Sequence, residues 1–240
     1  MRLRVMTYNI HAARGLDVRE RSRGKPAHLT RIAEVIRSAA PDLVALQEVD
    51  VGRARSGAID MAGELAASLG MEMRFVPCLE EGAERYGICT LSRLPFLESR
   101  ELRLPMRHDR EQRCALVTRH SWNGGQVELI NAHLSVLFRE RPHQVAAIAT
   151  EMLSEALVIA GDFNMTPWSP AYRMLSRGLH SATRFARTWP APAPVIPLDH
   201  ILYRGRLEVV EAGAWTEGGA RRASDHLPVV AELAHIPEAA

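Results

Sequence analysis

The sequence is short of cysteine, aromatic rings, lysine and long apolar runs, and each shortage removes a class of protein. Cys78, Cys89 and Cys114 are its only cysteines. They are odd in number and show no C-x-x-C spacing, which argues against a disulfide framework and against a zinc knuckle. No apolar stretch approaches the ~18 residues a bilayer-crossing helix needs. The opening MRLRVMTYNI alternates like a strand and lacks the apolar core and small-residue cleavage site of a secretory signal. A cytoplasmic location is therefore expected. Aromatic residues make up only 5%, a thin provision for stacking on nucleobases. Of 30 basic residues only Lys25 is a lysine. Arginine grips phosphate bidentately, but a compositional bias of the source genome is the readier explanation of the ratio. The net charge of +2 is too mild to indicate a nucleic-acid binder by itself.

What the chain does contain is ordinary for a globular protein: 240 residues, 47% hydrophobic and 24% charged, enough to bury a substantial core. Short apolar or alternating runs of strand length recur as LRVMTYNI, DLVALQEV, MRFVPC, YGICTLS, RCALVTRH, QVELINAHL, ALVIAGDF, LDHILYRG, LEVVEAGAW and LPVVAEL. Between them lie helical patterns. HLTRIAEVIRSA sets Leu29, Ile32, Val35 and Ile36 on one face, and DMAGELAASLG ends at Gly70, a C-cap residue. RPHQVAAIATEMLSEA reads as the longest helix, and SPAYRMLSRG as a short one. This order predicts a mixed α/β plan with strands enough for two sheets. No linker, repeat or low-complexity tract interrupts it, so residues 1–240 are expected to form a single domain. RGLDVRERSRGKPAH (14–28) reads as a long basic loop after the first strand, and WPAPAPVIP (189–197) as a stiff one.

The informative pattern is where the polar residues fall. One strand ends in Asn9 and the next in Gln47 and Glu48. ELINAHL carries Asn131 and His133, and LVIAGDFN ends in Asp162 and Asn164. Asp199 opens PLDHIL, while Asp225 and His226 precede the last strand. Any one of these also reads as a turn or a core hydrogen bond. Six apolar strands ending this way point to one rim carrying a polar site on a rigid scaffold. Carboxylates and amides are hard donors that suit Mg2+ or Mn2+ rather than Zn2+, and histidines add proton transfer. Together they make a phosphoester-hydrolysing set. No nucleophile elbow or Walker loop competes.

Taken in order, TYNIH, LQEVD, YGICTLSR, NAHL, GDFNMTP, LDHIL and SDHLPV resemble the endonuclease/exonuclease/phosphatase superfamily over residues 5–230. The resemblance implies a four-layer α/β/β/α sandwich of two mixed β-sheets flanked by helices, with the site at one rim. It implies that Glu48 is the principal ligand of a Mg2+ or Mn2+ ion, with Asn9 and Asp225 close to the cation. Asp162, helped by Asn164, would orient or deprotonate the attacking water. His226, held by Asp199, would contact the scissile phosphate or share in proton transfer. His133 would stand opposite and could protonate the leaving oxygen, oriented by Glu84. His133 aligns the chain with the deoxyribonuclease, sphingomyelinase and inositol 5-phosphatase branches; Ile88 departs from an amide that bacterial members often carry.

The expected activity is metal-dependent hydrolysis of a phosphoester, a phosphodiester first, by in-line attack of water. A phosphomonoesterase and a non-catalytic binding protein that keeps the fold remain as alternatives. Nucleic acid, a phospholipid and a small phosphoester all stay open as substrates, and the chain is expected to act as a monomer. The loop 14–25 with Arg53 and Arg55 could track a nucleic-acid backbone. Trp168 and Trp189 could line the site, with packing the commoner job for each. No apolar hairpin is seen that would dip into a membrane.

Overall fold

The computed structural model describes residues 1–16, 26–106 and 111–237. Most of the basic loop read at 14–28, residues 17–25, lies outside the described residues. The strands are β1 (Arg2–Asn9), β2 (Leu43–Val51), β3 (Glu72–Glu81), β4 (Glu84–Ser92), β5 (Phe96–Arg103), β6 (Cys114–Trp122), β7 (Gly125–His133), β8 (Leu157–Asp162), β9 (His180–Ser181), β10 (Asp199–Arg204), β11 (Leu207–Ala214) and β12 (Val229–His235). The helices are α1 (Pro26–Ala39), α2 (Met61–Leu69), α3 (Arg141–Ala149), α4 (Pro170–Leu175) and α5 (Ala220–Ala223).

Two mixed six-stranded sheets result, ordered β11-β12-β1-β2-β4-β3 and β5-β6-β7-β8-β10-β9. Along each strand alternate residues face opposite ways, and the packing follows that rule. In β1, Met6 and Tyr8 face outward and pack with Ile32, Val35 and Ile36 of α1 and with Met61 and Leu65 of α2. Leu3 and Val5 face inward and meet Leu129, Val158, Ala160 and Ile201 of the other sheet. The outer face of that second sheet, through Ile130, Ala132 and Ile159, is covered by Val145 and Ile148 of α3 and Leu175 of α4. The layers are therefore helix, sheet, sheet, helix. Among the described residues no helix is long and apolar enough to cross a membrane.

Local chemistry sets the element ends. The Asp60 side chain accepts the Gly63 N–H at 2.9 Å to start α2, and Gly70 ends it in the left-handed conformation at φ 61°, as the sequence predicts. Ser169 caps α4 with Pro170 in the first turn. Three expectations need correction. The longest helix is α1, with 14 residues against nine in α3; past Ala149 the chain closes in a tighter turn, Glu151 N–H to the Ile148 carbonyl at 2.9 Å. The sequence reading also passes over β5, an edge strand of alternating charge. Finally, Cys78 and Cys114 are joined as a disulfide, leaving Cys89 buried and free. The bridge links β3 of one sheet to β6 of the other.

Candidate active site

The inward-facing rows that form the sandwich core end, at one rim, in polar groups. In β7 the row Val127, Leu129, Asn131, His133 runs inward; in β8 it is Val158, Ala160, Asp162; in β10 it opens with Asp199 and continues to Ile201. Strand register puts His133 beside Asp162 and Asp162 beside Asp199. Three of the predicted site residues thus sit abreast on three adjacent strands. On the facing sheet the row Leu3, Val5, Thr7 ends at Asn9, whose amide donates to Asp162 Oδ2 at 3.0 Å and to Glu48 Oε1 at 3.1 Å.

Glu48 reaches the rim by a different device. The pairing of β2 with β4 slips between Leu46 and Val49, and Glu48 itself has φ 57°. A bulge of this kind re-aims a side chain next to a site. Its neighbour Gln47 stays inside, donating to Asn131 Oδ1 at 2.9 Å, while Asn131 donates to the Leu46 and Cys89 carbonyls. Gln47 and Asn131 therefore tie the sheets together beneath the site and are not part of it.

Asp162 is the centre of the arrangement. Its Oδ1 accepts the Asn164 N–H at 2.9 Å, an Asx turn that holds Asn164 at φ 50°. Its Oδ2 faces His133 Nε2 at 3.5 Å and His226 Nε2 at 3.9 Å. Asn164 donates its amide to the Leu134 carbonyl at 3.1 Å, fastening the β7 exit to the β8 exit. His200, on the outer face of β10, bonds the Met165 carbonyl at 2.8 Å and steadies the same turn. Burial raises the Asp162 carboxyl to about 6, with Asp199 adding to the effect and His226 and Asn9 opposing it.

The two histidines differ in charge. For His226 burial opposes protonation, but Asp199, Asp162 and Asp225 outweigh it and push the imidazole up to about 10. Its Nδ1 bonds Asp199 Oδ2 at 2.8 Å; the adjacent Asp225 is turned elsewhere. His133 is held well below the usual histidine value by burial, by the Arg113 cation and by His226. Arg113 Nη1 lies 2.9 Å from both of its ring nitrogens. A point equally close to both lies over the ring face.

Arg113 is a residue that sequence reasoning missed, since nothing distinguishes it among so many arginines. It also displaces an expectation. Glu84, read as the acid that orients His133, instead accepts the Ala54 N–H at 3.0 Å and faces Arg53 Nε at 3.5 Å. Arg53 also pairs with Glu81, and Arg55 grips Asp50 through two bonds of 2.9 and 2.7 Å. Both arginines thus have carboxylate partners in this structure.

His11 is the second residue missed, although it lies within the quoted TYNIH. Residues His11, Ala12 and Ala13 form a left-handed turn with φ 49°, 49° and 51°, and the turn sets the imidazole beside two carboxylates. His11 Nδ1 is 3.3 Å from Asp225 Oδ1 and 3.8 Å from Glu48 Oε2. Ser224 Oγ donates to the Asn9 carbonyl at 2.7 Å, locking this corner to β1.

Two groups could hold a cation. Asp162, Asp199 and His226 offer donor atoms within 4.8 Å of one another, but Asp199 and His226 are already bonded together. Glu48 and Asp225 are partly exposed, both border His11 Nδ1, and Asn9 donates to Glu48. An oxygen-rich set of that kind fits a hard divalent ion, and this second group is the better match.

The rim is also where exposed aromatic rings collect. Every exposed Phe or Trp among the described residues (Phe138, Trp168, Phe185 and Trp189) lies on the segments 134–140, 163–169 and 182–198. These segments leave β7, leave β8 and lead into β10. Trp168 is 62% exposed, so packing is not its job. Arg139 stands 5.4 Å from the Phe138 ring and Arg184 5.4 Å from the Phe185 ring.

The profile of the endonuclease/exonuclease/phosphatase family matches residues 6–226. Among solved structures, an endonuclease/exonuclease/phosphatase from Beutenbergia cavernae is 24% identical with a TM-score of 0.73, covering 98% of this chain and 72% of that one. The human Nocturnin catalytic domain with bound sulfate is 22% identical with a TM-score of 0.74, covering 98% and 93%. A mannosyl-6-phosphatase from Bacteroides thetaiotaomicron is 18% identical with a TM-score of 0.78, covering 97% and 99%. At these identities the likeness is one of fold. No curated protein sequence matches the chain.

Proposed function

The chain belongs to the endonuclease/exonuclease/phosphatase family, whose members are hydrolases of phosphoester bonds and generally depend on a divalent metal, and from that premise we propose a Mg2+- or Mn2+-dependent phosphodiesterase. The observation that carries the reading is the convergence on Asp162. One carboxylate meets Asn9, Asn164 and two histidines, one protonated and one neutral.

Glu48, Asp225 and Asn9 would hold the metal. Such a cation supplies charge neutralisation at the phosphate and at the displaced oxygen. The remaining work falls to the chain's own groups. Asp162, ionised at neutral pH, orients a water in line with the phosphorus and accepts its proton as the new P–O bond forms. Asn9 and Asn164 keep that carboxylate in place. His226, protonated against Asp199, binds a phosphoryl oxygen and gives its proton to the leaving oxygen as the ester P–O bond breaks. His133 carries no proton to spare, so the donor role that the resemblance gave it passes to His226. With Arg113 across its face, His133 is left to receive a hydrogen bond and to border the phosphate site.

The aromatic rim supports a diester over a bare monoester. Exposed rings beside a site offer apolar surface to an organic group, and a diester brings one on each side of the phosphate. Bis(p-nitrophenyl) phosphate with Mg2+ or Mn2+ tests the reading. Hydrolysis should vanish with chelator and fall by roughly 10²–10⁴ in Asp162→Asn. Unchanged turnover by that variant overturns the assignment, and faster cleavage of p-nitrophenyl phosphate overturns the diester preference.

A further inference from the structure

We propose that His11 is a nitrogen ligand in the metal site and tilts its preference from Mg2+ toward Mn2+. The inference rests on the metal reading above and concerns a residue that reading does not use. The Nδ1 atom of His11 is 3.3 Å from Asp225 Oδ1 and 3.8 Å from Glu48 Oε2. Adjacent donors in an octahedral shell with bonds of ~2.1 Å stand about 3 Å apart. Each of these two spacings is near that of neighbouring ligands around one ion, with His11 coming from the turn after β1, Glu48 from the β2 bulge and Asp225 from the turn before β12.

The backbone is arranged for this. A left-handed conformation is costly for a non-glycine residue, and here three occur in succession at His11, Ala12 and Ala13. The turn is closed by Ala13 N–H to the Ile10 carbonyl at 2.8 Å and anchored by burial of both alanines. The His11 N–H donates to Asn9 Oδ1 at 3.0 Å, so the turn also fixes the amide of the site. What that strained corner presents is a partly exposed ring whose Nδ1 faces the two carboxylates.

Chemistry gives the consequence. Mg2+ holds to oxygen and sheds water reluctantly, whereas Mn2+ and the later first-row ions accept imidazole. An imidazole among oxygen ligands therefore strengthens Mn2+ binding more than Mg2+ binding.

The test is metal titration of the full chain by calorimetry, with pulsed electron paramagnetic resonance of the Mn2+ form. In His11→Ala, Mn2+ affinity should fall by roughly 10-fold or more while Mg2+ affinity changes several-fold less. A directly bound 14N coupling should be present in the wild type and lost in His11→Ala and in His11→Asn, the latter keeping an oxygen donor. Mn2+ bound without that coupling, or equal weakening for both metals, overturns the His11 proposal alone. Failure of the wild type to bind either ion overturns the metal reading, and this one with it.

Discussion

Asp199→Asn isolates the ion pair that charges His226. Asp199 and His226 are 2.8 Å apart and both buried, and asparagine keeps the shape while removing the charge. Moving a histidine from 6.5 to about 10 is worth on the order of 5 kcal/mol in the folded state. Burial works against that, and the gain is shared among Asp199, Asp162 and Asp225. Asp199 is the hydrogen-bonded member of the three, so about 3 kcal/mol should be lost, within the range for breaking a buried pair. The sign follows from the raised value. The contribution is complete below the unfolded pKa near 6.5 and disappears as pH climbs through about 10. Urea unfolding of wild type and variant, with chelator present, should therefore show the widest gap near pH 6 and a much narrower one at pH 10. Turnover of the diester at pH 7 should fall as well, by roughly 10² or more, because the proton donor is lost. A stability gap that is the same at pH 6 and pH 10 would refute the charged state assigned to His226.

Two further predictions concern the scaffold. The Cys78–Cys114 bridge closes a sequence separation of 36, for which chain entropy gives about 4 kcal/mol. Cys78→Ser/Cys114→Ser should lose that much in urea unfolding under oxidising conditions and match the reduced wild type; an unmoved midpoint would deny the bridge a stabilising role. Gly161 precedes Asp162, and a Cβ there would run into the Ala132 carbonyl of β7. Gly161→Ala should force β7 and β8 apart, costing about 1–3 kcal/mol or more and most of the activity. Unaltered melting and turnover would show that the strands tolerate that spacing.

The rim was legible in the sequence because strand alternation is rigid. Once Leu3 and Val5 are assigned to the core, Asn9 must share their face, and the same parity places Asp162 with Val158 and His133 with Leu129. Parity fails where the chain departs from it. Nothing in VALQEVD announces the bulge that re-aims Glu48 to the rim and returns Val49 to the outer face of Val44 and Leu46. Contacts between strands distant in sequence are equally silent: Arg113 over His133, or Cys78 against Cys114 across two sheets. An odd cysteine count without a motif reads as three thiols, and one arginine reads like another. Glu84 shows the reverse error, in which position in a motif suggested a partner but Arg53 and the Ala54 N–H hold it. β5 escaped because Phe96–Arg103 is an edge strand with charges along it, a pattern that serves solubility and hides the apolar alternation.

The distribution of backbone strain argues independently for where this protein does its work. Among the described residues, His11, Ala12, Ala13, Ala40, Glu48, Ala58, Asn123 and Asn164 have positive φ without being glycine. Five of these eight stand at the rim, where they carry or support His11, Glu48 and Asn164. A left-handed residue costs of order 1–3 kcal/mol, and selection for stability alone would put glycine at such positions, as it has at Gly70 and Gly57. Glycine would relax the backbone here but remove the side chain. Glu48 at φ 57° keeps its carboxylate, and Asn164 at φ 50° keeps the amide that fastens Leu134. The sandwich can sustain this because the strands beneath are pinned from both faces, outwardly by helices and inwardly by the opposite sheet. A well-packed core that holds a strained, polar edge is how a fold keeps several carboxylates and imidazoles close together at one rim.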